Sequence, residues 1–520
     1  MNWLDYLIVI LYSVAFLGLG NWFKGEKSKS EYFLGGKSFG WLPLSLSVMA
    51  TQLSAISFIS APAFVGMREN GGMQWLSFEF GVPLAMIFLA IFLIPRLYKA
   101  GVVSIYEYLE RRFGRSTRLL ISIVFQVSRS FGTAIMVYAV SLILMSILDI
   151  PFWQTILVIG VITLIYSYQG GMKAVVYGDM IQMIILLIGI VICAVAGFNY
   201  LGGWQELTEH VDQTRLNAVN FEVLGIAGDG DFGFFPMVFG GFFLYASYYG
   251  TDQSQVQRLL SARDLKTVQK TLLFNGLLRF PITFMYCFMG LIIGTYAMLT
   301  PEFGGQIPAD RPDLMIPVFI RDYLPHGVIG LLIVAILSAA MSSLSSAINS
   351  LSAVTTEDIL ANKPEVDDQT YARVSKFTSL FWGGVCILLA FFAGDIADTV
   401  IEAINKIGSV FYGPILATFI AAAGFRTIRS QAMNLGLVAG VGSNIFLWLV
   451  VGDQLFWFWW NLIGAVVTFS VAWGISSISK AQPSATSGEV PETIDRKQVT
   501  ILAMAFMTMI LISLSIKYWF

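Results

Sequence analysis

Residues 338–350 read Ser-Ala-Ala-Met-Ser-Ser-Leu-Ser-Ser-Ala-Ile-Asn-Ser, a dense run of hydroxyls inside a stretch otherwise apolar enough to cross a membrane. At helical spacing Ser338, Ser342, Ser345, Ser346 and Asn349 fall on one side, so they form a polar stripe turned away from lipid. Neutral oxygens in a row suit a small, hard, singly charged cation, because hydroxyls and carbonyls can replace a hydration shell without the carboxylate cluster of a divalent site. Close helix packing explains the serines equally well from this segment alone.

Composition fixes the broad class. The chain has 520 residues, 56% hydrophobic and 12% charged, with a mean hydropathy of +0.73, which excludes a soluble domain of this size. Apolar runs of membrane-spanning length number about fourteen. They lie near 4–22, 41–66, 73–97, 119–148, 152–169, 177–201, 232–255, 271–298, 326–355, 377–393, 398–424, 430–451, 455–478 and 499–518. The first has Asp5 ahead of its apolar part and no small-residue cleavage pattern behind it, so a retained helix is expected rather than a signal peptide.

The 31 lysines and arginines are unevenly shared between alternate connections. One set holds Lys24, Lys27, Lys29 and Lys37, the Arg96–Arg118 group, Lys173, the Arg258–Lys270 group, Lys363, Arg373, Lys376, Arg426, Arg429, Lys480, Arg496 and Lys497. The opposite set and the tail hold only Arg68, Arg215, Arg311, Arg321 and Lys517. Positive-inside bias then puts the first set in the cytoplasm and both termini outside.

Enzymatic clusters are missing from the sequence. Cys193, Cys287 and Cys386 all sit within spans and suggest packing rather than disulfides or a CxxC site. His210 and His326 fall in separate outer loops, which leaves no histidine pair for a transition metal and no nucleophile–base arrangement. Residues 481–497, with Pro, Ser, Thr and Gly, read as a cytoplasmic linker before the last helix.

Charges inside spans are expensive and should face protein or a water-filled cavity. Glu402 and Lys406 are four apart on one helix, where an i,i+4 pair accounts for both. Arg279 precedes Pro281, where a kink could supply carbonyl partners. Arg129 has no carboxylate at helical spacing, so it awaits a partner elsewhere or snorkels toward the cytoplasm.

Two spans look interrupted. Thr51, Gln52, Ser54 and Ser57 lie near the middle of the second, and Tyr-Ala-Ser-Tyr-Tyr-Gly-Thr-Asp-Gln at 245–253, with Gly250, breaks the seventh. Breaks five spans apart suggest inverted repeats whose freed carbonyls bind ions.

These residues resemble the sodium/solute symporters, which include sodium/glucose, sodium/proline and bacterial sialic-acid transporters. The likeness rests on Ala-Thr-Gln-Leu-Ser-Ala-Ile-Ser-Phe at 50–58, Tyr-Gln-Gly-Gly-Met-Lys-Ala-Val at 168–175, Gly-Asp-Met-Ile-Gln at 178–182, Tyr-Tyr-Gly-Thr-Asp-Gln through Gln257 and Arg258, and the serine run. It implies an all-α integral membrane protein with a LeuT-type fold: inverted five-helix repeats with broken core helices 1 and 6. The repeats would be 41–201 and 232–424, with an extra helix and loop at 1–40, an extracellular loop at 202–231 and three helices in 425–520.

Carried over by position, the resemblance implies a first sodium site of the Ala50, Leu53 and Ala339 carbonyls with the Ser342 and Ser343 hydroxyls. A second, found in some members, would use Asp179, Ser342, Ser345 and Ser346, giving two Na+ ions; a helix-capping role for Asp179 is the alternative. Tyr248 resembles an inner gate. Arg129, Ser54, Ser57 and Gln74 look similar to the substrate contacts of the sialic-acid branch, and an arginine fork suits a planar carboxylate. Gln52 departs from that branch, and Asn405 or Lys406 could reshape the pocket. The expected function is sodium-coupled import of a carboxylate-bearing solute such as sialic acid, with a neutral sugar or monocarboxylate as alternatives and a channel or membrane sensor as the other class. A multi-pass plasma-membrane location, bacterial inner membrane if prokaryotic, a monomer and no nucleic-acid partner are expected.

Overall fold

The structure, a computed structural model, describes residues 1–22, 34–102, 104–167, 172–360, 368–394, 396–478 and 495–520. Lys24, Lys27, Lys29, Lys363, Lys480, the Tyr-Gln-Gly-Gly start of one motif and most of the 481–497 linker lie outside them, as do the side chains of Ser338, Ala339 and Ser342.

Every expected span overlies a helix, as hydrocarbon requires of a backbone that must satisfy its own hydrogen bonds. Among the described residues, nine helices are long and apolar enough to cross a bilayer, and the bent pair Trp41–Gln52 and Ala55–Gly66 makes up to ten. The remaining expected spans fall on Trp3–Trp22, Phe152–Ser167, Phe234–Thr251 and Val328–Val354. Beyond helices, the described residues hold only isolated bridges, Phe39 with Ala262 and Ile226 with Leu455.

The first interruption is where the sequence places it. Leu53 leaves helical geometry at φ −81° and ψ 73°. Ser54 is extended and caps the outgoing helix by accepting from the Ile56 amide at 3.3 Å, so the two halves meet at a 56° bend. The second falls inside the expected 245–253 stretch, two residues past Gly250. Helix Phe234–Thr251 runs through Gly250, and the break falls on Asp252, at φ −85° and ψ 122°. Asp252 caps Gln253–Leu260 by accepting from the Ser254 amide at 2.8 Å. Gly250 is a packing glycine instead, since a Cβ there would stand 2.4 Å from Leu89 Cδ2.

Backbone contact holds the bent pair in place. A Cβ on Gly66 would lie 2.5 Å from the Gly290 carbonyl, so Ala55–Gly66 can cross Leu265–Leu299 only with glycine at the contact. The serine-bearing helix Val328–Val354 is tied at its start to the first helix. Asp5 Oδ1 accepts from the amides of Gly327 at 2.6 Å and Gly330 at 3.0 Å, taking up amides that have no partner within the helix.

Candidate ion and solute site

The helix Trp41–Gln52 ends when the Leu53 amide bonds the Met49 carbonyl at 2.7 Å. From Ala50 onward its carbonyls have no next-turn amide within the helix, which leaves electronegative oxygens at the bend. One of them, on Thr51, accepts the Tyr248 hydroxyl at 3.4 Å, so the expected inner-gate tyrosine bridges the two interrupted segments. Val328–Val354 packs against this bend. On it Ser343, Ser345 and Ser346 are all buried, and the Ser343 hydroxyl is buried without a hydrogen-bond partner. A buried polar oxygen left unpaired is costly unless a ligand satisfies it.

Beside the bend lies a cavity of about 950 Å³, open mouth included. Leu53, Ser54, Ser57, Arg129 and Tyr248 line it, together with Gln52 and Asn405. Trp75, Phe78, Tyr286 and Tyr412 supply apolar walls. Gln74 is not brought there. Its amide donates to the Asn70 carbonyl at 2.6 Å, because Met73–Phe80 is a 3-10 segment whose turns aim Trp75 and Phe78 inward instead.

Arg129 faces this cavity rather than snorkelling. Its Nη1 sits 3.4 Å from Asp252 Oδ2, and its Nε is buried with no partner. Arg279 does not rely on carbonyls near Pro281. It pairs with Glu79 at 3.1 Å, and Glu79 also accepts from Tyr245 at 3.0 Å and Thr283 at 2.9 Å. Glu402 does not pair with Lys406. Arg68 takes it at 2.9 Å, while the Lys406 ammonium lies 6.0 Å over the Trp448 ring. In each case a long-range partner gives better geometry than the local one.

Asp179 is fully buried among three elements. Ser47 donates to it at 2.5 Å, and Arg258 Nη2 reaches it at 2.9 Å while also donating to Ser346 at 2.9 Å. Sequence reasoning singled out Asp179 and Ser346 but missed Ser47 and Arg258 as their partners, and missed Asp252 as the partner of Arg129. Ser47 and Asp252 stand within the interrupted stretches, so their position was the available signal.

Interrupted helices around a buried polar cavity are the architecture of a membrane transporter. The profile of the sodium:solute symporter family matches residues 32–434. The chain is 30% identical over 463 residues to the human sodium/iodide cotransporter, covering 87% of this chain and 70% of the relative. It is 27% identical over 461 residues to sodium-coupled monocarboxylate transporter 2 of Mus musculus, covering 87% and 73%. Among solved structures, a sodium-coupled sialic acid symporter in a substrate-bound outward-open state superposes with a TM-score of 0.79 at 25% identity, over 93% of this chain and 99% of that one. A closed transporter of the nucleobase-cation-symport-1 family gives 0.55 at 13% identity, over 87% and 97%, a likeness of fold alone. The chain belongs to the sodium:solute symporter family and is a multi-pass membrane transporter, not an enzyme.

Proposed function

We propose that this symporter imports a small carboxylate-bearing solute with sodium by alternating access. The observation that carries the solute class is Arg129: a buried guanidinium in the cavity wall, 3.4 Å from Asp252, beside the Tyr248 hydroxyl and with Nε unsatisfied. A planar carboxylate satisfies such a fork with two charge-assisted bonds. Sialic acid, the ligand class of the superposed symporter, is one such solute. A monocarboxylate is the second reading, favoured by the monocarboxylate-transporting relatives.

Sodium would be held first by the carbonyls of Ala50, Leu53 and Ala339 with the hydroxyls of Ser342 and Ser343. The unpaired Ser343 hydroxyl supports this assignment. A second ion would use Asp179, Ser342, Ser345 and Ser346. Ser54 and Ser57 would contact the solute, Gln74 being too far round its turn. In the inverted-repeat scheme the units 41–201 and 232–424 rock against each other, with interrupted core helices 1 and 6, fourteen spans, both termini outside the plasma membrane and Tyr248 yielding on the inner side. Each ion crossing 100 mV inward would contribute about 2.3 kcal/mol to accumulation.

Thermal denaturation of the purified chain against sugar acids, monocarboxylates and neutral sugars, in sodium and in potassium, tests the reading. Stabilisation by carboxylates that needs sodium supports it; stabilisation by neutral sugars alone refutes the solute class.

A further inference from the structure

Arg258 sits against two of the residues to which the second ion was assigned, Asp179 and Ser346. It is 2% exposed, and its three nitrogens are all engaged. Nη2 lies 2.9 Å from both Asp179 Oδ2 and Ser346 Oγ. Nε lies 2.9 Å from Ser47 Oγ and 3.2 Å from Asp179 Oδ2, and Nη1 donates to the Ser254 carbonyl. Asp179 and Ser346 therefore already surround a positive charge, supplied by the chain.

We propose that the Arg258 guanidinium and a sodium ion are alternative occupants of the Asp179–Ser346 site, so that the second ion binds only as Arg258 withdraws. This rests on the sodium-symport reading and adds the residue that decides when the second site exists. Two cations cannot share one buried carboxylate at contact distance without strong repulsion. Removing either cation leaves a buried, uncompensated anion, which the other can neutralise.

The exchange has a mechanical consequence. Arg258 belongs to Gln253–Leu260, the segment after the second interruption, while Ser47 belongs to Trp41–Gln52, the segment before the first. With the guanidinium in place, these segments are fastened to Met172–Leu201 through Asp179 and to Val328–Val354 through Ser346. A sodium ion that takes over Asp179 loosens Gln253–Leu260 from that knot. Arrival of the second ion is thereby coupled to release of the segment that Tyr248 adjoins.

The test uses the full chain in detergent, titrated with sodium chloride against choline chloride at constant ionic strength, with melting temperature as readout. Arg258→Gln should melt lower than wild type in choline and gain a larger shift from sodium, with half-saturating sodium lowered about tenfold or more, since a buried carboxylate deprived of its guanidinium then demands another cation. Arg258→Lys, which keeps a charge, should stay close to wild type. Adding Asp179→Asn to Arg258→Gln should erase the extra sodium response. Ser47→Ala removes one anchor of the guanidinium and should lower half-saturating sodium several-fold, which decides the matter if Arg258→Gln does not fold. Arg258→Gln or Ser47→Ala with unchanged or weakened sodium response overturns the competition. A wild type with no sodium response overturns the symport reading instead.

Discussion

Arg68 Nη2 lies 2.9 Å from Glu402 Oε1, joining residues 334 positions apart in the chain. The pair fastens the end of the bent helices to the first turn of Val400–Gly424, with Asp398 adding a contact at 3.3 Å and Thr399 donating to Glu402 at 2.6 Å. Both charges are largely withdrawn from solvent, and Arg68 also stacks over Phe64 and Phe232, 5.2 and 5.3 Å from their centroids. Glu402 directly follows Ile401, which lines the cavity, so the pair holds the helix that forms part of its wall.

Arg68→Ala should therefore loosen that wall and expose the cavity. With Ser57→Cys as reporter, labelling by a membrane-impermeant thiol reagent should accelerate about tenfold, the response to roughly 1.4 kcal/mol of lost stabilisation. Cys193, Cys287 and Cys386 are buried, so the native background is low. An unchanged labelling rate would show that the pair does not hold the wall.

Arg129→Ala should abolish binding of carboxylate solutes while the sodium-dependent rise in melting temperature persists. Arg129→Lys should lose most of the binding too, since an ammonium cannot present two parallel donors. Isothermal titration with the best ligand from the solute screen separates these outcomes, and retained carboxylate affinity in Arg129→Ala would reassign the clamp.

Much of the site is legible from sequence wherever polarity interrupts an apolar run. The bend at Leu53 and Ser54 and the buried serines of Val328–Val354 are of this kind. Charge partners are not legible, because Arg279 finds Glu79 200 positions away and Arg68 finds Glu402 across 334. A local rule misassigned Glu402 to Lys406, since i,i+4 spacing says nothing of a better partner on another helix. The second break lies within the polar 245–253 stretch, but its exact point is not legible, because glycine signals both backbone freedom and close packing; Gly250 packs against Leu89 and the capping Asp252 ends the helix. Gln74 was misplaced because 3-10 turns rotate side chains differently from α-helical ones.

Asp313, in the connection between Leu265–Leu299 and Val328–Val354, should make stability depend on pH. Burial pushes its carboxyl up to about 6, opposed by hydrogen bonds from Ser60 and the Val400 amide. A carboxyl with a higher pKa folded than unfolded favours the folded state when protonated. Its contribution is present below about pH 4, the unfolded value, and is lost as pH rises through 6. Melting temperature in wild type should fall across that window, and Asp313→Asn should flatten the fall; an equal slope in both would assign it to other groups.

Sodium capture at the bend is tested most directly by equilibrium binding of radioactive sodium to the purified protein, wild type against Ser343→Ala. The account predicts saturable binding to wild type, displaced by unlabelled sodium but not by choline, and weakened about tenfold or more when the hydroxyl is removed, as loss of an ion ligand in a buried site should cost at least 1.4 kcal/mol. Equal sodium affinity in the two proteins, or no saturable binding in either, would contradict it.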